Sequence, residues 1–310
     1  MSNLPQNEFD DSDLEGLSPS VKHYVYEGPD QFSRIFRLEK DRCLRSMPNA
    51  VETPTNPVTT TGSLSTKVQA ETEINEYFVL SIDASTFERD FADDGIDIPH
   101  IVSSEYSAQK SRLVIKMPNP VHNQVGIALH GAIKTALVPM RLHNMVFSWG
   151  TVNVDVGSGR MKQADMGWGP RRCSPGTPKK PTVVLEAGVS ESHKRLFHDM
   201  ETWLNPHKGN VRMALSIKVV RNRRKLTIEK WVWDATNRIP SKVQGIVLER
   251  NETGQTTSRG GDLMIPFRDI FLRDTESSRE TDITIDTGEL QAIAELAWDM
   301  QFQDEDEDEE

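Results

Sequence analysis

The sequence predicts an α/β fold in which helices pack against a mixed sheet. Two segments, residues 120–137 and 192–204, repeat apolar residues at the three- and four-residue spacing of amphipathic helices. Between and after them, short apolar or alternating runs have the spacing of strands. The predicted order of core elements is therefore helix, strand, strand, strand, helix, strand, strand.

Each element has a local signal. The first core helix begins at Asn119 and Pro120, which are typical helix-start residues, and the second ends at Asn205-Pro206. A Gly-Ser-Gly turn at residues 157–159 separates two of the strands. The strands are predicted at residues 77–82, 113–117, 145–156, from the turn 157–159 through Asp165, and at 182–187, 211–219 and 226–233.

The predicted organisation is a single globular domain, residues 76–300, with its core at about residues 110–235. Residues 1–75 are polar and of low complexity, so we expect them to be largely disordered. Within them, residues 21–26 and 32–38 are alternating or amphipathic, typical of segments that dock on the main domain or on another, unidentified protein. Residues 301–310 form an acidic tail. The sequence has neither a secretion signal nor a run of about eighteen apolar residues. We therefore expect an intracellular protein, nuclear or cytoplasmic, with no membrane segment.

Two carboxylates stand where strands end. Glu186 follows the apolar run 183–185, which is typical of a buried strand, and Asp165 ends the preceding strand. An isolated carboxylate is costly to bury unless it is paired or binds a metal. Asp165 and Glu186 are therefore candidates for one metal site. In the alternative interpretation, Asp165 caps a turn and Glu186 pairs with a basic residue such as Lys218.

Charge is distributed unevenly along the chain. The net charge is −11, but residues 304–310 are all acidic, and without these seven it would be −4. Residues 208–230 carry eight basic side chains against the single acid Glu229. A local basic face can bind phosphate despite an acidic total. The residues predicted to contact nucleic acid there are Arg221, Arg223, Arg224 and Lys225. The alternative is a solvated hairpin tip, and the acidic tail either keeps the chain soluble or screens this face.

The pattern around the two carboxylates resembles the PD-(D/E)XK nuclease superfamily. Asp165 stands about twenty residues before Glu186-Ala187-Gly188, and a serine-containing turn then leads into a helix that carries Trp203. The resemblance covers roughly residues 110–235 and is strongest to the restriction-endonuclease branch with fungal-type relatives. It implies a restriction-endonuclease-like core in which Asp165 and Glu186 bind Mg²⁺, or Mn²⁺, to hydrolyse DNA phosphodiester bonds.

The family lysine is missing from its usual place, two residues after the glutamate, where this chain has Gly188. Two lysines could substitute, Lys194 in the following helix and Lys218 in the next strand. His193 faces inward better than Lys194 on a helical wheel and is a third candidate. Members of this fold often add an acid from the first core helix. That helix has no Asp or Glu here, so the residues left to serve are His122, Gln124 and His130.

Ser190 and Ser192 are predicted first to cap the second core helix, and second to contact phosphate through its N-terminus. The leading function is thus a Mg²⁺-dependent nuclease-like domain whose partner is DNA, with a homodimer left open. Two alternatives remain. The chain is a catalytically degenerate nuclease fold that binds nucleic acid, or it is a protein-interaction scaffold.

Overall fold

The computed structural model describes residues 12–45, 76–92, 103–117, 119–150, 152–172, 179–188, 192–220 and 222–302. The strands in these ranges are β1 (Lys22–Val25), β2 (Tyr77–Ser81), β3 (Ser103–Ser107), β4 (Arg112–Lys116), β5 (Val146–Ser148), β6 (Val154–Asp155), β7 (Arg160–Lys162), β8 (Met166–Pro170), β9 (Val183–Gly188), β10 (Met213–Val219), β11 (Lys225–Asp234), β12 (Ile239–Arg250), β13 (Thr256–Arg259), β14 (Leu263–Ile265) and β15 (Ile283–Ile285). The helices are α1 (Pro29–Arg45), α2 (Ala84–Phe87), α3 (Pro120–Ala136), α4 (His193–Leu204), α5 (Phe267–Phe271) and α6 (Thr287–Gln301).

Six strands form the smaller sheet, in the order β1-β2-β4-β3-β7-β6. The pair β1–β2 is parallel, and the other neighbours are antiparallel. Helix α1 covers one face with an aromatic core. Alternation along β4 turns Ile115 into that core, whereas Val114 packs on the opposite face. Lys116 lies on the same face as Val114.

Seven strands form the larger sheet, in the order β13-β12-β11-β10-β9-β8-β5. It is a mixed sheet, because β9 and β10 are parallel and the other pairs are antiparallel. Helices α3 and α6 pack on one face, and α4 packs on the other. Alternation along β9 places Leu185 on the α3 face and Val184 on the α4 face.

The structure confirms the mixed α/β class and most of the predicted elements. Asn119 caps α3 by accepting a hydrogen bond from Val121 N at 2.9 Å, as its position before Pro120 predicts. The single strand predicted at residues 145–156 is wrong. Its first part is β5 in the larger sheet and its last part is β6 in the smaller sheet, so the chain crosses between sheets after Ser148. The crossing depends on pairing with β8 and β7, which local sequence does not encode.

The N-terminal region also differs from the prediction. Residues 12–45 are not disordered but form β1 and α1, and Phe32 and Phe36 of α1 are buried against the smaller sheet. Of the two partners predicted for these segments, the main domain or another protein, the structure shows contacts with the main domain, through the pairing of β1 with β2 and the packing of α1 on the smaller sheet. The rest of the region predicted to be disordered, residues 1–11 and 46–75, lies outside the described residues, as does most of the acidic tail. None of the described helices has the length and apolar character needed to span a membrane.

Candidate functional site

Asp165 and Glu186 lie side by side at one end of the β8–β9 pair. Met166, the first residue of β8, is paired with Leu185, so Asp165 lies next to Glu186 across the two strands. The backbone N–H of Ala187 donates a hydrogen bond to Asp165 Oδ2 at 2.7 Å. Glu186 points to the α4 face, where Trp203 Nε1 donates to its Oε1 at 2.6 Å. The structure therefore brings together the two carboxylates predicted to share a site.

Lys116 reaches this pair from the smaller sheet. Its Nζ donates hydrogen bonds to Asp165 Oδ2 at 2.8 Å and to the carbonyl oxygen of Ala187 at 2.5 Å. It lies 3.9 Å from Glu186 Oε2. The side chain is only 4% exposed. One ammonium group thus contacts both carboxylates and the backbone between Glu186 and Gly188.

Lys162 approaches Glu186 from the other side, at the end of β7. Its Nζ donates to Asp199 Oδ1 at 2.7 Å and lies 3.7 Å from both Glu186 Oε1 and Glu105 Oε2. A single cation is therefore shared by three buried carboxylates from β3, β9 and α4. Because an unpaired charge is costly in an interior, these contacts help to make the burial of the three carboxylates tolerable, together with those of Lys116, Arg160 and Arg195.

Helix α4 turns a polar face toward the smaller sheet. Arg195 Nη2 lies 2.9 Å from Glu105 Oε2 and 3.3 Å from Asp199 Oδ1, and Arg195 Nη1 donates to the carbonyl oxygen of Asp13 at 2.8 Å. His198 Nε2 lies 3.5 Å from Glu105 Oε1, which is also paired with Arg160. These interactions tie α4, β3 and β7 into one network with the β8–β9 carboxylates.

A cavity of about 10 Å³, roughly the space of one water molecule, lies inside this network. Its polar lining comes from both sheets and from α4. The charged residues around it are Glu105, Lys116, Lys162, Glu186, Arg195 and Asp199. Three of these side chains are basic and three are acidic, so the cavity is surrounded by charges of both signs.

Burial and neighbouring charges shift the acid–base properties of the cluster. Burial raises the pKa of Glu186 to about 8, although Lys162 opposes the shift. Burial also disfavours the charged form of Asp199, but Arg195 and Lys162 more than offset this and lower the pKa of that carboxyl. Burial together with the charge of Arg195 lowers the pKa of His198 to about 3. His198 is therefore neutral near pH 7.

Glu105, His198 and Asp199 each offer a ligand atom, and these atoms all lie within 4.8 Å of one another, so the three residues could hold a metal ion. Cationic side chains already contact this cluster, however, through Arg160, Arg195 and Lys162. Cationic side chains also contact the neighbouring pair of Asp165 and Glu186, through Lys116 and Lys162. Asp165 Oδ1 is buried and receives no hydrogen bond from the described residues.

The residues predicted to supply the missing lysine or its substitute lie elsewhere. His193, Lys194 and Lys218 are all exposed, so the inward orientation predicted for His193 is wrong. Lys218 lies opposite Gly188 in β10, yet within the described ranges it forms no ion pair with Glu186. The alternative interpretation, that Glu186 pairs with a basic residue, therefore holds for Lys116 and Lys162 but not for Lys218, the example it named.

The three candidates predicted on the first core helix have other surroundings, and none of the contacts described for them is with Asp165 or Glu186. His122 is buried with its Nε2 at 3.8 Å from Glu76 Oε1, and burial followed by the charge of Lys116 lowers its pKa. His130 Nδ1 accepts a hydrogen bond from Trp168 Nε1 at 3.0 Å, a structural role. Gln124 is half-buried on α3.

The predicted phosphate contacts are partly described. Ser192 is the N-cap of α4, since its Oγ accepts from Arg195 N at 3.1 Å; the same hydroxyl donates to Gly16 O at 2.5 Å. Of the basic hairpin, Arg223 is exposed, and Lys225 is half-buried 3.9 Å from Glu249. The guanidinium of Arg224 lies over the ring of Phe302, 4.6 Å from its centroid. Ser190 and Arg221 lie outside the described residues.

Several functional side chains were not identifiable by the motif alone, although the sequence contains signals for them. Lys116 interrupts an apolar strand, and Lys162 precedes Asp165 by three residues. Arg195, His198 and Asp199 recur at three- and four-residue spacing, which places them on one face of a helix. The sequence has no local signal that a second sheet covers this face of the helix.

No protein-family model matches the chain, and no curated protein matches it either. A functional assignment therefore depends on the site. Two adjacent carboxylates, one with a buried oxygen lacking a donor, beside a lysine ammonium, form an arrangement suited to binding a hard cation and to stabilising an anionic group.

Proposed function

We propose that the chain is a metal-dependent nuclease of the PD-(D/E)XK type, which hydrolyses phosphodiester bonds in DNA. The observation that carries the proposal is the juxtaposition of Asp165 and Glu186 on adjacent strands, with the ammonium of Lys116 at 2.8 Å and 3.9 Å from their oxygens. Two carboxylates and a cation in contact are the groups that the sequence resemblance implies for this chemistry.

The order of elements supports a restriction-endonuclease-like core. Helix α3, strands β5, β8 and β9, helix α4 and strand β10 follow one another in that order, with β6 and β7 inserted into the other sheet. The carboxylates lie where β8 begins and β9 ends, at one edge of the central pair. This is the helix, strand, strand, strand, helix, strand order that the resemblance implies.

The residues present fit a hard divalent cation. Buried carboxylate oxygens almost always have a partner, and Asp165 Oδ1 receives no hydrogen bond from any described residue. Asp165 and Glu186 would hold Mg²⁺ or Mn²⁺ there, and the cation would supply Lewis-acid stabilisation of phosphate charge and a lowered pKa for water.

The chain's own groups fix this site before any ligand binds. Ala187 N–H and Lys116 hold Asp165 through the same oxygen, Oδ2, which leaves Oδ1 for a cation. Trp203 holds Glu186 through Oε1. A constellation whose rotamers are set by hydrogen bonds needs little reorganisation on binding, which favours catalysis.

A second candidate function is a fold that retains the core and binds nucleic acid without cleaving it. The observation that favours it is burial, because the side chains of Lys116 and Glu186 are only 4% and 1% exposed. The adjoining cavity has room for about one water molecule. In this candidate, the charge network joins the two sheets, and phosphate binds at the basic hairpin.

The deciding experiment measures cleavage of supercoiled plasmid and of single-stranded DNA in Mg²⁺, in Mn²⁺ and in EDTA. We expect cleavage that requires the metal and that is lost in Asp165→Asn and Glu186→Gln, with Glu252→Gln in an exposed turn as the control. Titration with Mn²⁺ should show a site that weakens in the same two variants. The variant His198→Gln tests the neighbouring Glu105 cluster and should leave that affinity unchanged.

An inactive wild type with either metal and both substrates would overturn the nuclease proposal. DNA binding that persists in EDTA would then support the second candidate.

A further inference from the structure

In β9 the position at which the PD-(D/E)XK superfamily has its lysine is occupied by Gly188, which has no side chain. Its neighbour across the sheet is Lys218 in β10, which is exposed. Lys194 is likewise exposed on α4. Among the described residues, the positive charges that contact Asp165 or Glu186 are those of Lys116 and Lys162, which lie outside β9, α4 and β10.

Two ammonium groups approach Glu186, and their surroundings differ. Lys162 donates its shortest hydrogen bond to Asp199, 2.7 Å away, and is also shared with Glu105 at 3.7 Å. Lys116 instead contacts Asp165 at 2.8 Å and Glu186 at 3.9 Å, so it touches both proposed metal ligands.

Lys116 also reaches the backbone at the point where the family lysine would begin. Its Nζ donates to the carbonyl oxygen of Ala187 at 2.5 Å, and Gly188 is the next residue. Alternation along β4 explains the direction, since Ile115 packs into the aromatic core and Lys116 points the other way, toward β9. The ammonium group at the end of β9 therefore belongs to the smaller sheet, which is not part of the restriction-endonuclease-like core.

We propose that Lys116 takes over the role of the lysine absent at position 188, an inference that rests on the proposed nuclease function. Lys116 acts through Asp165 and Glu186, which it holds in place while adding one positive charge beside the site of an anionic phosphate. It is therefore a positioning residue. In this chain the lysine has moved from the strand that carries the glutamate to a strand of a second sheet.

The test compares Lys116→Met, which keeps the length of the side chain without its charge, with Lys218→Met and Lys194→Met as controls on exposed lysines. We expect kcat on plasmid DNA to fall at least about 100-fold in Lys116→Met, with KM nearly unchanged because the basic hairpin proposed to bind DNA is left intact. Both control variants should keep the wild-type kcat. Near-ultraviolet circular dichroism and a thermal melt verify that each variant is folded.

Two further variants separate this role from a purely structural one. Lys116→Arg keeps the charge and should recover part of the lost kcat. Gly188→Lys combined with Lys116→Met returns a lysine to the family position. Gly188 lies in strand β9, on the same face as Glu186, and this double variant should cleave faster than Lys116→Met.

If Lys116→Met fails to fold, Lys116→Arg decides the question, because it keeps the buried charge and should fold but cleave more slowly than the wild type, with KM nearly unchanged. The outcomes distinguish the two proposals. Full kcat in folded Lys116→Met, or no gain of cleavage in either further variant, overturns the role of Lys116 and leaves the nuclease standing. An inactive wild type overturns both.

Discussion

The ammonium of Lys162 lies 2.7 Å from Asp199 Oδ1, and the two side chains are each only 2% exposed. Glu105 and Glu186 lie 3.7 Å from the same ammonium. A single lysine at the end of β7 therefore contacts carboxylates from three other elements. Because buried charges are tolerated mainly as pairs, this contact joins the two sheets to α4.

Replacing Lys162 with Met should consequently be strongly destabilising. The change leaves three buried carboxylates with one cation fewer, and removing one partner of a buried ion pair costs about 3–5 kcal/mol of unfolding free energy. Urea denaturation measures the loss. Lys218→Met, on the exposed side of β10, is the control and should stay within about 0.5 kcal/mol of the wild type. A loss below about 1 kcal/mol in Lys162→Met would show that the cluster does not depend on this cation.

The lowered pKa of His198 predicts how the unfolding free energy depends on pH. Burial and the charge of Arg195 lower its pKa from 6.5 to about 3 in the folded protein. Between these values the unfolded chain binds a proton that the folded protein does not, so the unfolding free energy falls as the pH decreases from 6.5 toward 3. The slope from this residue approaches about 1.4 kcal/mol per pH unit.

His198→Gln should remove that part of the acid slope, measured by urea denaturation at several pH values from 4 to 8. His207→Gln, an exposed histidine just beyond α4, is the matched control and should keep the wild-type slope. Identical slopes in the wild type and His198→Gln would contradict the assignment of the shift to this ring.

The parts of the fold that were predictable are those whose signals are local. Helix α3 has its cap and its apolar spacing within about twenty residues, and α4 has Ser192 at its start and Asn205 at its end. Strands β9, β10 and β11 follow directly from apolar runs and alternation. The division of residues 145–156 between two sheets was not predictable, because β5 and β6 each pair with a strand that comes later in the chain.

The candidate site divides in the same way. Glu186 was predictable from the apolar run of β9. Asp165 does not end the strand predicted before it, because that strand is β7 of the smaller sheet, and it lies next to Glu186 through β8, which was not predicted. Lys116 was not predictable, since its approach depends on how the smaller sheet packs against the larger one. The polar face of α4 has a recognisable spacing, but only the presence of a second sheet turns that face from a solvated surface into a buried network.

Gly16 should tolerate no side chain. Its φ is +76°, and a Cβ built there would lie 2.2 Å from the backbone nitrogen of Arg195 at the start of α4. Gly254 has nearly the same φ, +77°, but nothing lies within 4 Å of its Cβ position. The backbone cost of alanine in this conformation is about 1–2 kcal/mol at either position. Gly16→Ala therefore carries an additional steric cost.

Thermal melts of Gly16→Ala and Gly254→Ala separate the two contributions. We expect the melting temperature to fall further in Gly16→Ala, because the N-terminal segment must move away from α4. Equal shifts in the two variants would contradict a close approach of Gly16 to that helix.

The basic hairpin should set the salt dependence of DNA binding. Counterion release lowers log K by up to about 0.9 per tenfold increase in salt for each phosphate that a basic side chain neutralises. Replacing Arg221, Arg223 and Arg224 with Ala should therefore weaken binding and flatten this slope, as measured by fluorescence anisotropy on a duplex. The matched control removes the same charge from exposed positions elsewhere, Arg238, Arg268 and Arg279. An unchanged slope in the hairpin variant would place the binding face elsewhere.

The acidic tail should compete with DNA for that hairpin. Phe302 packs against Arg224, with the guanidinium 4.6 Å from the ring centroid, and Gln301 Nε2 donates to Val220 O at 3.1 Å. Residues 304–310, all acidic, begin two residues later and are within reach of the hairpin charges. Deleting them should raise DNA affinity about three- to tenfold at 50 mM salt, with a smaller gain at higher salt because of screening. Replacing the seven acids by their amides keeps the length and should give the same gain. If the deletion acts but the amide variant does not, length rather than charge is responsible, and competition with DNA is excluded.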